Sequence, residues 1–251
     1  MNKFIDYEIL IFLCFYVVSK TFKINGSKIA FEIIKRKNMK LFIPLLLIYF
    51  SFGCKKSQTI TENISESKPT TQLIENPTDF YEKLSSAAIS IIDPEVVYTP
   101  DYVGIKYPNG DVPAKTGVCT DVVIRAYRKL GIDLQKEVHE DMKANFSLYP
   151  NLEKWGLKTT DKNIDHRRVP NLEVFFSRKG ATLPITQNPK DYKAGDLVTW
   201  MIGDKLPHIG IVTHIKSSNG NPMIVHNVGS GQVLEDCLFS WKIVGHFRYE
   251  K

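Results

Sequence analysis

The sequence predicts an α+β domain, N-terminal helices packed on an antiparallel β-sheet, on three observations. Apolar residues recur with helical spacing as far as Phe176, the spacing drops to two beyond Gly180, and the two-residue stretches are separated by short glycine-bearing connections. Connections that short leave no room for a crossover, so neighbouring strands run antiparallel.

The elements follow in order. Thr78-Asp79 supplies an N-cap before Phe80, Leu84, Ala87, Ala88 and Ile91, which share one face of a helix. An extended piece, Asp101 to Tyr107, leads to the turn Pro108-Asn109-Gly110. Two helices come next, Cys119 to Leu130 stopped by Gly131, and Leu134 to Phe146 opened by Asp133. Tyr149 to Val169 is polar and reads as a loop. Pro170 suits the first turn of a helix that ends before Gly180 and buries Leu172, Phe175 and Phe176. Strands are expected at Asp196 to Met201, His208 to His214, Pro222 to Val228 and Val244 to Tyr249.

The chain of 251 residues is 43% hydrophobic, which excludes a disordered or collagen-like polymer. Its formal charge of +6 points at first to nucleic acid. Residues 1–53, however, hold eight Lys or Arg against three Asp or Glu, so the part from Cys54 onward is nearly neutral at +1. The nucleic-acid reading then has no support.

Two apolar runs, Ile9 to Val18 and Leu41 to Phe50, are each ten residues long, short of the roughly 18 to 20 that span a bilayer. The second follows Lys35, Arg36, Lys37 and Lys40 and precedes Ser51-Phe52-Gly53-Cys54, the anatomy of an export signal. It resembles a bacterial lipoprotein signal with Cys54 as the lipidated residue. The expected organisation is an upstream extension over 1–38, a lipoprotein-type signal over 39–53, a flexible polar tether over 54–77 and a globular domain over 78–251. A lipid-anchored monomer in the cell envelope, facing the periplasm or exterior, follows from that reading.

Cys119 stands at a helix start, where unpaired N–H groups and the helix dipole favour a thiolate. His208 opens one predicted strand and His226 lies in the next, so adjacent strands can set the two imidazoles side by side. One imidazole can take the proton of Cys119 while a second polar group orients it. Strand alternation sends His226 and Asn227 to opposite faces, and only one of them can meet His208. His226 is the expected third residue and Asn227 its competitor.

The motifs Gly117-Val118-Cys119-Thr120, Gly195-Asp196-Leu197-Val198, His208-Ile209-Gly210-Ile211-Val212 and Val225-His226-Asn227 resemble those of the NlpC-type papain-like cysteine hydrolases. The longer stretches GVCTDVVIRAYRKLGIDL, NIDHRRVPNLEVFF and AGDLVTWMIGDKLPHIGIV are similar to a bacterial family known only as domain of unknown function 1287. The resemblance covers about residues 78–251. It implies a papain-like fold and hydrolysis of amide bonds in peptidoglycan stem peptides, with Cys119, His208 and His226 as the catalytic set and no cofactor. Acyl transfer on the same thioester, or an idle wall-binding or partner-binding protein, are the rival implications.

One departure concerns Asp121, which replaces the small glycine of the hydrolase pattern. It is either a first-turn residue favoured by the helix dipole or a carboxylate acting on Cys119 or substrate. The resemblance offers Tyr107 as a cleft-lining tyrosine. Arg167 and Arg168, and with them Arg125, are candidates for binding substrate carboxylates, against a bland role as solvated charge. His139-Glu140-Asp141-Met142-Lys143 lacks the second histidine of a metalloprotease helix. Cys237 is expected as a buried free thiol, since neither a disulfide with Cys119 nor a zinc site joining Cys119, Cys237, His208 and His226 has spacing in its favour.

Overall fold

A computed structural model describes residues 72–251. The extension over 1–38, the signal over 39–53, Cys54 and most of the tether lie outside the described residues. No helix among the described residues is long and apolar enough to cross a membrane.

The domain is mixed α+β. Helix α1 (Phe80–Ser90) starts where the Asp79 side chain accepts the N–H of Glu82. Two short strands, β1 (Val97–Tyr98) and β2 (Thr116–Gly117), pair in parallel, so Tyr98 lies opposite Gly117. Helices α2 (Cys119–Lys129) and α3 (Leu134–Ala144) follow. The predicted loop after Tyr149 contains a short helix, α4 (Asn151–Trp155), closed by Gly156 at φ 65°. Helix α5 (Val169–Arg178) has Pro170 in its first turn.

Five strands form the main sheet: β3 (Leu197–Ile202), β4 (Leu206–Lys216), β5 (Pro222–His226), β6 (Val233–Glu235) and β7 (Lys242–Phe247). Their order is β6-β5-β4-β3-β7, all antiparallel. The sheet departs from expectation in its bounds and in one strand. β6 is unexpected, β4 runs two residues beyond its expected bounds at each end, and β5 stops two residues early because Asn227 turns back to accept the N–H of Gly229. The last strand begins two residues sooner than alternation indicated.

The sheet has a core on each face. Ile209, Ile211 and Val225 face the helices, where Leu84, Val122, Val123, Tyr127, Leu172 and Phe175 are buried. Val198, Trp200, Val212 and Ile224 point the other way and are covered by Leu238 and Ile243. Two glycines of the strand motifs answer to packing. Gly195, at φ 82°, would place a Cβ 2.6 Å from the Tyr81 carbonyl oxygen, and a Cβ on Gly210 would meet Ile224 Cγ2 at 2.5 Å. Asp196 is structural too, its carboxylate accepting from Arg248 at 2.6 Å and meeting His246 at 2.9 Å.

Candidate active site

Cys119 is the first residue of α2, as the sequence predicts, and its sulfur faces the backbone N–H groups of Ile209 on β4, Thr120 and Cys119 itself. These donors favour the thiolate. Burial works against them and wins, pushing the thiol up to about 12. The expected thiolate is therefore absent from the resting site, because a helix start lowers a thiol's pKa only while the sulfur keeps some contact with water.

The two histidines meet as expected. His208 Nε2 lies 2.9 Å from His226 Nδ1, both rings buried. The paired strands bring them together on the face that carries Trp200, whose ring is 5.8 Å from that of His208. A residue the sequence reading missed extends the line: Glu235 Oε2 sits 3.0 Å from His226 Nε2. Burial holds His208 down at about 3, with the neighbouring imidazole acting in the same sense, and burial also lowers His226 against the pull of Glu235. Cys119 and His208 share no hydrogen bond, and the link between them is the β4 backbone, where the sulfur faces the residue next to His208. His208 Nδ1 has no hydrogen-bond partner among the described residues. Asn227 goes the other way, its amide 3.5 Å from the Gly117 carbonyl beside the start of α2.

Asp121 is the first-turn residue of the first reading, with a buried cationic partner the sequence did not show. Its carboxylate accepts the Val118 N–H at 2.7 Å, closing the helix start, and receives a two-pronged bond from Arg167 at 2.9 and 3.0 Å. Arg167 is thus committed within the protein. Arg168 is less so, bonded to Asp165 at 3.3 Å and stacked 4.3 Å over the Trp155 ring.

Cys119 opens on a cleft of about 550 Å³ whose walls include Tyr98, Trp155, Pro207 and four cationic residues, Lys154, Arg167, Arg168 and Lys205, with no carboxylate residue among them. A larger groove of about 860 Å³ beside α1 holds neither cysteine nor histidine. Two expected residues stand outside the Cys119 cleft. Tyr107 packs edge-on against His139 at 5.2 Å, and Tyr98 takes the cleft position because β1 runs beside β2. Arg125 spends its donors on Asp111 and the carbonyls of Val112, Pro113 and Thr116, which holds the loop before α2.

Comparison with known proteins gives one sequence family. The model of a family described as a domain of unknown function (DUF1287) matches residues 85–249. An uncharacterized protein, YijF of Escherichia coli (strain K12), is 46% identical over 213 residues, covering 84% of this chain and 98% of its own. Two solved structures of a N-acetylmuramoyl-L-alanine amidase from Bacteroides uniformis ATCC 8492 align at 12% identity with a TM-score of 0.41, over 68% of this chain and 99% of theirs.

Proposed function

The chain belongs to the DUF1287 family, and from its cleft we propose that it is a papain-like thiol hydrolase cleaving amide bonds of peptidoglycan stem peptides. Two observations carry the reading: Cys119 opens on a cationic cleft, and the buried line His208, His226, Glu235 starts from the strand residue next to Ile209, whose N–H faces the Cys119 sulfur.

In this reading Cys119 gives its proton to His208 Nδ1 as the sulfur attacks the amide carbonyl carbon, a transfer that requires the two side chains to come together from the opposite faces of β4 on which they stand. His208 Nε2–H donates to His226 Nδ1, and His226 Nε2–H donates to Glu235, so the positive charge arising on His208 is met at the far end by a carboxylate. The N–H groups of Cys119 and Thr120 hold the oxyanion at the helix start. His208 then protonates the leaving amine, leaving a thioester on Cys119. Water, deprotonated by the same imidazole, releases the acid and restores the thiol. With the thiol held near 12 and the imidazole near 3, this proton moves only when substrate is in place. Arg168, Lys154 and Lys205 offer positive charge to the carboxylates of such peptides. In this reading Cys54 carries lipid and the domain faces outward from the membrane in the cell envelope. Palmitate labelling lost in Cys54→Ala supports the anchor, and equal labelling contradicts it.

The test of mechanism is an acid quench during turnover of peptidoglycan peptides, followed by mass spectrometry. An acyl adduct on Cys119 that is absent from His208→Ala is expected; cleavage with no adduct on any cysteine would contradict the mechanism. A second reading, an idle wall-binding protein, draws on the buried, protonated thiol, and it requires peptide binding without any adduct.

A further inference from the structure

Among the described residues, His226, Glu235 and Cys237 are the one group of three His, Cys, Asp or Glu side chains whose ligand atoms converge, all within 4.8 Å of one another. Pairing of β5 with β6 sets Glu235 opposite Ile224, diagonal to His226, and Cys237 follows where the chain leaves the strand. None of this is visible as a spacing motif, because the ligands come from two strands and the segment after them.

We propose that His226 Nε2, Cys237 Sγ and Glu235 Oε2 form a binding site for a soft divalent cation of the zinc class. The distances fit. Zinc bonds of about 2.0 Å to nitrogen and about 2.3 Å to sulfur at a tetrahedral angle set those two atoms about 3.5 Å apart. Cys237 Sγ and His226 Nε2 are 3.5 Å apart, and Glu235 Oε2 is 3.0 Å from the same nitrogen. Nitrogen, thiolate and carboxylate together suit zinc rather than magnesium or calcium. The outer partner is present as well, since His226 Nδ1 is held by His208. Cys237 and His226 are buried, while the Glu235 side chain is 46% exposed and gives the ion its way in and an open fourth position. Binding converts the Cys237 thiol to thiolate and releases that proton to solvent.

The site bears on the hydrolase, and this part rests on the function proposed above. A metal on Nε2 leaves Nδ1 as the only protonated nitrogen of a neutral His226, so His226 becomes the donor toward His208. His208 Nε2 must then accept, its own hydrogen sits on Nδ1, and that nitrogen no longer accepts from Cys119. The ion acts as an off switch.

The experiment titrates the full chain, purified in detergent, with Co²⁺ and follows thiolate-to-cobalt absorption. One ion per chain is expected, with the band retained in Cys119→Ser, lost in Cys237→Ser and weakened at least about tenfold in Glu235→Gln, whose exposed side chain spares the fold. No band in wild type, or an unchanged band in Cys237→Ser, would overturn the site. Zn²⁺ added to a turnover assay is expected to lower the rate of wild type, and an unaffected rate at saturating Zn²⁺ would overturn the switch. A cobalt band on a chain that hydrolyses nothing supports the site and counts against the hydrolase. Hydrolysis by a chain with no band has the opposite meaning.

Discussion

Arg167 grips both carboxylate oxygens of Asp121 in a buried fork, Nε on Oδ1 at 2.9 Å and Nη2 on Oδ2 at 3.0 Å, in the same first helical turn as Cys119. The pair fastens the loop before α5 to the start of α2, so the cleft wall and the nucleophile are set by one contact. Removing one partner leaves an unpaired buried charge, which costs about 3–5 kcal/mol. Arg167→Ala is expected to lose that much in chemical denaturation, and Asp121→Asn with Arg167→Met to recover a large part of it. A loss below about 1 kcal/mol in the single variant would contradict this role.

Acid should destabilise the fold through its buried histidines. Burial lowers His208 and His166 from 6.5 to about 3. Above about pH 6.5 both are neutral whether folded or not, and stability is at its full value. As pH falls below that, the unfolded chain takes up protons the folded chain refuses, and stability is lost progressively down to about pH 3. Denaturation midpoints between pH 7 and 4 are expected to fall, and to fall less steeply in His208→Gln. Equal slopes would contradict the burial of a neutral His208.

Gly210 explains the glycine in His208-Ile209-Gly210-Ile211-Val212. A Cβ there would meet Ile224 Cγ2 at 2.5 Å and His226 Cβ at 3.2 Å, so Gly210→Ala must displace the strand that carries the second imidazole. A stability loss of about 1–3 kcal/mol is expected, together with a fall in kcat that outweighs any change in KM. A variant with wild-type kcat would show that the position of His226 is not critical.

Cationic residues of the cleft predict a substrate effect. Arg168, stacked on Trp155 and shared only with Asp165, is free to bind a carboxylate. Arg168→Met is expected to raise KM about tenfold for peptides with free carboxylates and to leave their amidated counterparts little changed. An equal effect on both peptides would contradict carboxylate recognition.

Four of the five strands of the sheet and the meeting of His208 with His226 were legible in the sequence, because period-two alternation indicates the strand and the face. So was the place of Cys119 at a helix start. Its protonation state was not, since the sulfur packs against Ile209 of β4, an element distant in sequence. Glu235 escaped notice because Val233-Leu234-Glu235 is too short to show a period, and only its pairing with β5 brings it to His226. Tyr107 was offered by resemblance, whereas Tyr98, which lines the cleft, lies in a two-residue strand that carries no signal of its own. Asp121 showed its dipole-favoured position but not Arg167, which is 46 residues away and joined to it only by the tertiary fold.

The most direct measurement is mass spectrometry of soluble fragments released from peptidoglycan by the full chain over time. The proposal predicts fragments ending at a newly cleaved amide bond, with a rate that falls on the order of a thousandfold or more in Cys119→Ala. Release at the wild-type rate by Cys119→Ala, or none from wild type after chelation of any bound metal, would contradict it.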